Sequence, residues 1–594
     1  MSEPVEWPEA DGGEAPRSPR FGDTYFSAED GLEETRAVFL AGCGLPEAWA
    51  GRRLFTVGEL GFGTGLNILA LVDLWRRARP SPEARLLIFS VEAYPMAQAD
   101  AARALSRWPG LADLAAPLMA GWPDGRRGFR RMEWPGLGVT LDLAVQEVGE
   151  ALQGWTGRAD AWLLDGFAPA RNPEMWREEV LGLVADRSAP GARAASFTVA
   201  GAVRRGLEAH GFAVERRPGF GRKKQRLEAR RPGSAPPCAP PRVAVLGAGI
   251  AGAALARAFR GLGVEAEVFE ADGPGAGASG NPAGLVTPRL DAGLGPVAAL
   301  YAQAFARAAE LYSRGTPEAV IATGVLQLEV GPKDGGRFDR IAAWEGFADG
   351  ALERLGAAAA SARLGEPNAS GALAFRDALV IDPVAAIRAW LGPVRRAQVA
   401  GLEPSAGAWR LLDAAGQVLA EADAVVVALG HATASLVRGL PLRPVRGQVS
   451  LADLPFTGAP AAWGGYAVPT RSGILFGATH DRGVADTDVR AEDHGRNLAA
   501  LAVGRPALAG ALEDHPLAGR AAVRAATPDH LPVAGRVPGA PGVYVLSGLG
   551  GRGFTLAPLL AEAAAAEVLG SAGPLPRGLL DLVRPGRFLP DSEG

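Results

Sequence analysis

The chain has 594 residues, 48% hydrophobic and 21% charged, with a formal net charge of -4. At about 100 to 200 residues per domain this length predicts several domains, and the composition excludes both a single small module and wholesale disorder. Two cysteines cannot build a disulfide framework, no Cys/His group has zinc-like spacing, and no apolar run reaches about 18 residues. A reducing compartment is therefore expected, with no structural metal and no membrane span. The acidic, polar start of the chain argues against a signal peptide, and the negative balance offers no global attraction to nucleic acid.

In chain order, the first pattern with chemistry in it begins at Leu54–Glu59 (LFTVGE), an apolar strand candidate. Gly61, Gly63 and Gly65 follow, then a helical run from Leu66 to Arg77. The glycines allow a sharp turn and a close approach to a ligand. A second apolar run, Leu86–Val91, ends in Glu92, where a carboxylate can accept hydrogen bonds from ribose hydroxyls, and a third, Ala161–Leu164, ends in Asp165. Glu59, Glu92 and Asp165 thus stand at three strand ends, where open α/β sheets bind ligands. The loop resembles the E-x-G-x-G-x-G motif of S-adenosylmethionine-dependent methyltransferases, which implies an adenosine ligand without a pyrophosphate. On the loop alone, NAD or another nucleotide stays open.

Residues 232–241 (PGSAPPCAPP) suit neither helix nor central strand and read as a linker. A second unit starts at once: Val243–Leu246, then Gly247, Gly249 and Gly252 in a G-x-G-x-x-G loop, an Ala-rich helix, and Val264–Phe269 ending in Glu270. The acid falls close to the roughly 20-residue spacing expected for a ribose contact, with a pyrophosphate at the helix N-terminus. Gly275–Gly280 (GAGASG, with Ser279 and Gly280) resembles a flavin-contacting loop of the glycine oxidase and D-amino acid oxidase superfamily. Gly548–Thr555 (GLGGRGFT, with Gly551, Arg552 and Gly553) resembles its C-terminal flavin loop, and Val425–Gly430 its returning strand. FAD is the cofactor this implies.

Five further segments carry a more specific likeness. Phe21–Ser27 (FGDTYFS), Gly31–Arg36 (GLEETR) and Asp165–Trp176 (DGFAPARNPEMW) resemble the methyltransferase half of the bifunctional tRNA 5-methylaminomethyl-2-thiouridine biosynthesis family. Pro444–Gln448 (PVRGQ) and Val523–Pro532 (VRAATPDHLP) resemble its flavin half.

The resemblance implies an α/β protein in which a Rossmann-like S-adenosylmethionine methyltransferase domain (1–231) precedes, across the 232–241 linker, a glycine oxidase/D-amino acid oxidase-like FAD-binding domain (242–594) with an inserted β-rich substrate domain. The FAD-binding parts are expected at about 242–300, 375–435 and 518–594, and the substrate parts at 301–374 and 436–517.

It implies oxidative removal of a carboxymethyl group from a wobble uridine, followed by methylation of the amine that remains. Asp165 would orient and deprotonate that amine, with Tyr25 and Phe167 at the base and Glu147 near the adenine. Arg524, or alternatively Arg446, would grip the substrate carboxylate, and His431 and His530 need no catalytic role. The implied partner is tRNA in the cytoplasm, with no metal, no membrane and no obligate protein partner. Arg126, Arg127, Arg130 and Arg131, and the run Arg222–Arg226 beside Phe220, are candidates for phosphate contact. The rival reading is a fused pair of small-molecule enzymes, a glycine- or sarcosine-type oxidase with a small-amine methyltransferase.

Overall fold

The structure, a computed structural model, describes residues 3–8, 15–27, 29–123, 126–221, 224–234, 239–290, 293–367 and 370–589. The chain divides into two compact units, Met1–Ala239 with Gly261–Gly263 and Gly570–Arg577, and Pro240–Arg260 with Val264–Leu569 and Gly578–Gly594. Of the proline-rich stretch, residues 235–238 lie outside the described residues.

The first unit is built on one eight-stranded sheet. Its strands are β1 (Leu54–Leu60), β2 (Arg85–Glu92), β3 (Gly128–Trp134), β4 (Val139–Val145), β5 (Ala159–Leu164), β6 (Ser188–Ser196), β7 (Ala213–Pro218) and β8 (Gln225–Arg230). Their spatial order is β3-β4-β2-β1-β5-β6-β8-β7. β1 runs parallel to β2 on one side and to β5 on the other. That makes it the switch point of the sheet, and a crevice opens where the carboxyl ends of the three strands diverge. A central parallel strand is covered on both faces, which is why β1 is buried continuously from Phe55 to Leu60.

Two arginines expected at an RNA surface are spent inside this sheet. Arg131 on β3 sits opposite Asp142 on β4 and donates to it twice, at 2.8 and 2.7 Å, with both side chains almost fully buried. Arg226 donates to Glu228 on its own strand at 2.9 and 2.6 Å. Arg222 and Lys223 lie outside the described residues.

The second unit contains the expected βαβ element, β9 (Val243–Leu246), α3 (Ile250–Gly261) and β10 (Glu267–Glu270), in a six-stranded sheet with residues 394–396, 424–427, 533–536 and 543–547. Residues 424–427 return parallel beside β9. The unit also holds a ten-stranded, mostly antiparallel sheet and a three-stranded antiparallel one (401–405, 408–412 and 418–422).

Three segments that fall wholly or partly in the expected FAD-binding parts lie in the ten-stranded sheet: Gly284–Val286, Ala372–Ile381 and Ala518–Ala526. The last pairs residue for residue with 443–451, a long antiparallel ladder that outweighs its nearness in sequence to the returning strands. No helix among the described residues is long and apolar enough to cross a membrane, and no cluster of His, Cys, Asp or Glu among them could hold a metal ion.

Helix α3 lies against β9 because Gly252 has no side chain, since a Cβ there would stand 1.8 Å from the Gly247 carbonyl oxygen. Gly252→Ala should force the helix off the strand and cost about 1–3 kcal/mol. In calorimetry the transition of the second unit should move to lower temperature while that of the first stays in place.

Candidate active sites

A cavity of about 860 Å3 opens at the carboxyl ends of β1, β2 and β5. Gly61, with φ of +88°, turns the chain out of β1. A Cβ there would come to 3.0 Å of Gly166 Cα and 3.1 Å of the Asp165 carbonyl oxygen, so glycine is what lets the loop lie against the end of β5. Gly63 donates its N–H to Glu92 Oε2 at 3.0 Å, and Tyr94 donates to Oε1 at 2.9 Å. Burial pushes Glu92 above the ordinary carboxylate range against the pull of these amides. The arrangement aims a fixed acceptor at a ligand resting on the loop. Gly65 opens helix α1 (Leu66–Ala78) with φ of +77° and packs against Leu118, behind the cavity wall.

Asp165, half-buried, is held at both oxygens. Asn67 Nδ2 donates to Oδ2 at 2.8 Å, and the Gly166 amide donates to Oδ1 at 2.8 Å. Asn67 is fixed in turn by the Thr35 hydroxyl, which donates to its Oδ1 at 2.7 Å. Asn67 was missed in the sequence, although it stands two residues past the glycine loop and Thr35 lies within the GLEETR segment.

The motifs at 21–27 and 165–176 fasten each other. Asp23 accepts the Ala168 amide at 2.9 Å, and the Trp176 indole donates to the Phe167 carbonyl at 2.9 Å. Tyr25 meets Phe167 edge-on at 5.1 Å, both on the cavity wall. The glycine cradle at Gly61 and Gly63, which a Cβ would crowd, and the Glu92 carboxylate on the same wall fit a polar cofactor such as S-adenosylmethionine. Glu147 also lines the cavity. It caps helix α2 (Val148–Gly154) and receives Arg177 Nη2 at 2.9 Å. Burial would raise its carboxyl, but the Gly149 and Glu150 amides and Arg177 hold it below the ordinary range.

Glu59 departs from the expectation of cofactor contact. Its side chain is fully buried on the central strand, behind the loop, where it accepts a hydrogen bond from Ser90, and it does not line the cavity. Burial pushes its carboxyl up to about 8, the Ser90 hydroxyl opposes this, and Asp165 adds to the rise. At neutral pH it holds its proton.

The second unit has a larger cavity, about 1400 Å3, lined by Gly247, Gly249, Glu270, Ser279, Gly551, Arg552, Gly553 and Arg524 among others. Glu270 Oε2 accepts the Ala248 amide at 2.7 Å, and Oε1 accepts that of Asp272 at 3.0 Å. Ser279 Oγ accepts the Ile250 amide at 3.0 Å, and a Cβ on Gly249 would stand 3.2 Å from that oxygen. The backbone cradle is therefore open only because glycine occupies it, as a dinucleotide such as FAD requires. Gly280 closes its own loop rather than facing the cavity, because a Cβ there would meet the Gly275 carbonyl at 2.3 Å.

Among the described residues the only acids on the wall are Glu270 and Asp272, beside β10, whereas Arg289, Arg337, Arg520, Arg524 and Arg552 line the remainder. A field of that sign suits an anionic ligand. Arg524 donates to the Thr479 carbonyl at 3.2 Å, with Tyr466 and His480 also on the wall. Burial, and then Arg524, lower the His480 pKa, which favours its neutral form. His431 lies at the cavity wall in a short turn, and His530 lies away from the wall in a turn with φ of +59°.

Arg446 cannot serve as the alternative carboxylate grip. Its side chain is fully buried, donating to Asp493 at 2.7 Å, Asp486 at 3.1 Å, Gln448 at 3.1 Å and the Asp488 carbonyl. Asp481 lies 3.5 Å away. The carboxylates that surround it come from within the chain.

A family model described as an S-adenosyl-L-methionine-dependent methyltransferase matches residues 109–232, and one described as an FAD dependent oxidoreductase matches residues 242–567. The chain is 61% identical over 581 residues to a tRNA 5-methylaminomethyl-2-thiouridine biosynthesis bifunctional protein of Caulobacter sp. (strain K31), covering 96% of each. It is 45% identical to the protein so named from Maricaulis maris, covering 98% of this chain and 96% of that one. Among solved structures, L-proline dehydrogenase from P. horikoshii is 18% identical with a TM-score of 0.50, covering 58% of this chain and 97% of that one, a likeness of fold alone.

Because the folded state holds Glu59 protonated up to about 8 while the unfolded chain releases that proton near 4.5, its contribution to stability falls as pH rises through that window. Glu59→Gln should flatten this dependence. Thermal unfolding of the first unit at pH 5 and pH 8 should differ less in the variant than in the parent.

Proposed function

This chain belongs to the family of bifunctional tRNA 5-methylaminomethyl-2-thiouridine biosynthesis proteins, and from that membership we propose how its residues divide the work. The protein modifies a tRNA wobble uridine with an FAD-dependent oxidoreductase and an S-adenosylmethionine-dependent methyltransferase. We assign methyl transfer to residues 1–231 and oxidation to 242–594, joined by 232–241. An RNA substrate puts this chemistry in the cytoplasm.

In the second half, Arg524 receives the carboxylate of a 5-carboxymethylaminomethyl-(2-thio)uridine, for which a planar, bidentate guanidinium is suited. Arg289 and Arg552 add positive charge to the same wall. FAD, when bound, supplies the two-electron oxidation of the N–CH2 bond. Water then cleaves the resulting imine to the primary amine and glyoxylate.

That amine is the acceptor for the first half. An alkylamine is protonated near neutral pH, with a reference pKa of about 10.4, and attacks a methyl group only as the free base. The observation that carries the assignment is Asp165, held by Asn67 and the Gly166 amide, at the strand end against which the Gly61 turn lies. Both of its oxygens are oriented, so it can accept the amine proton while Phe167 and Tyr25 pack the base.

The test is nucleoside mass analysis of tRNA bearing carboxymethylaminomethyl-uridine after incubation with the protein. Aminomethyl-uridine should form without S-adenosylmethionine and methylaminomethyl-uridine with it. Asp165→Asn should stop at aminomethyl-uridine even at saturating methyl donor, whereas Arg524→Ala should leave carboxymethylaminomethyl-uridine unconverted yet still methylate supplied aminomethyl-uridine. No change in either nucleoside with flavin-loaded protein would favour the small-molecule oxidase reading.

A further inference from the structure

Most arginines near the first cavity are neutralised. Arg177 pairs with Glu147 and Glu174 at 2.9 and 2.8 Å, Arg17 with Glu6 at 3.2 Å, and Arg226 with Glu228 at 2.6 Å. Two stand apart. Arg20, on the cavity wall with 54% of its side chain exposed, has only a long ion pair to Glu3, at 4.0 Å, and lies over the ring of Tyr94, 4.1 Å from its centroid. Arg171 is exposed and has no carboxylate partner among the described residues. It reaches the turn that carries Arg20 and Phe21, because a Cβ on Gly22 would stand 3.2 Å from its Nη1.

Between these cations runs a row of aromatic rings. Phe21 stacks on Phe167 at 4.8 Å and meets Tyr94 at 6.0 Å, and Tyr94 is 41% exposed. The row leads from the residue beside Asp165's turn out to solvent. A carboxylate at hydrogen-bond distance would have both satisfied and cancelled the guanidinium, whereas an aromatic face orients it and leaves most of its N–H donors available. That is the chemistry of a phosphate site, since the planar fork matches phosphate oxygens. A uridine that reaches Asp165 must leave its stack, so its backbone has to cross this rim and its neighbours lose a stacking partner.

We infer that Arg20 and Arg171 grip the sugar–phosphate backbone of the single-stranded nucleotides adjoining the acceptor uridine, with Phe21 and Tyr94 as the stacking surface for a neighbouring base. The inference rests on the reading of the first half as an RNA methyltransferase, and it deepens that reading by naming where the RNA lies.

The experiment measures binding of a fluorescein-labelled anticodon stem–loop bearing 5-aminomethyluridine to the full-length protein across a salt series. Methyl transfer to the same RNA and binding of S-adenosylmethionine are followed in parallel. Arg20→Ala and Arg171→Ala should each make the dependence of log affinity on log salt shallower by about 0.7, the value for one lost contact to a single strand. Both should raise the KM for RNA and leave kcat and S-adenosylmethionine affinity unchanged. Phe21→Ala should weaken RNA binding about fivefold or more at an unchanged salt slope, as loss of stacking does. An unaltered slope in both arginine variants would overturn the inference, as would a weakened hold on S-adenosylmethionine, which would give the rim to the cofactor. A parent protein that binds this RNA without methylating it would overturn the functional reading, while the salt slopes would still decide the inference.

Discussion

The first cavity rests on one close approach, that of the Gly61 turn to the Asp165–Gly166 backbone. Parallel strands deliver their carboxyl ends to the same edge of a sheet, but they do not by themselves bring a glycine turn and the carboxylate at the next strand end into contact. Here the missing Cβ closes the gap. Everything else at the site holds what this contact creates. Asn67 and Gly166 fix the carboxylate, Thr35 fixes Asn67, Asp23 joins the segment at 21–27 to that at 165–176, and Trp176 braces the latter internally.

The two cavities solve different recognition problems. The second carries an excess of arginine on its wall, which suits a dinucleotide and a carboxylate together. The first combines aromatic rings with several carboxylates on its wall, Glu92, Glu147 and Asp165 each held by hydrogen bonds. A chain whose formal charge is -4 overall thus concentrates positive charge where its chemistry needs it.

What the sequence made legible was whatever is encoded locally. The glycine loops, the acids at strand ends and the family segments each lie within a few consecutive residues, and the structure puts Glu92, Asp165, Glu270 and Arg524 on cavity walls. What escaped was set by distant partners. Arg446 reads as available until Asp481, Asp486 and Asp493, some forty residues on, fold around it. The 518–526 strand reads as part of the flavin-binding fold because its ladder partner lies about seventy residues earlier. Glu59 looks like a ligand contact because it heads the motif, yet a central strand covered on both faces leaves it no route to the cavity.

The fully buried Arg446 also separates two properties that usually change together. It ties Asp486, the Asp488 carbonyl and Asp493 to one strand, and Gln448 adds bonds to both the amide and the carbonyl of Arg490. The residues this segment turns toward the second cavity, Ala485, Thr487 and Val489, take no part in that bracing through their side chains. Where the wall stands is decided behind it, and what it is surfaced with is decided in front. Such a partition gives the oxidative half evolvability: its facing side chains can drift toward new amine substrates while the backbone that carries them stays in register.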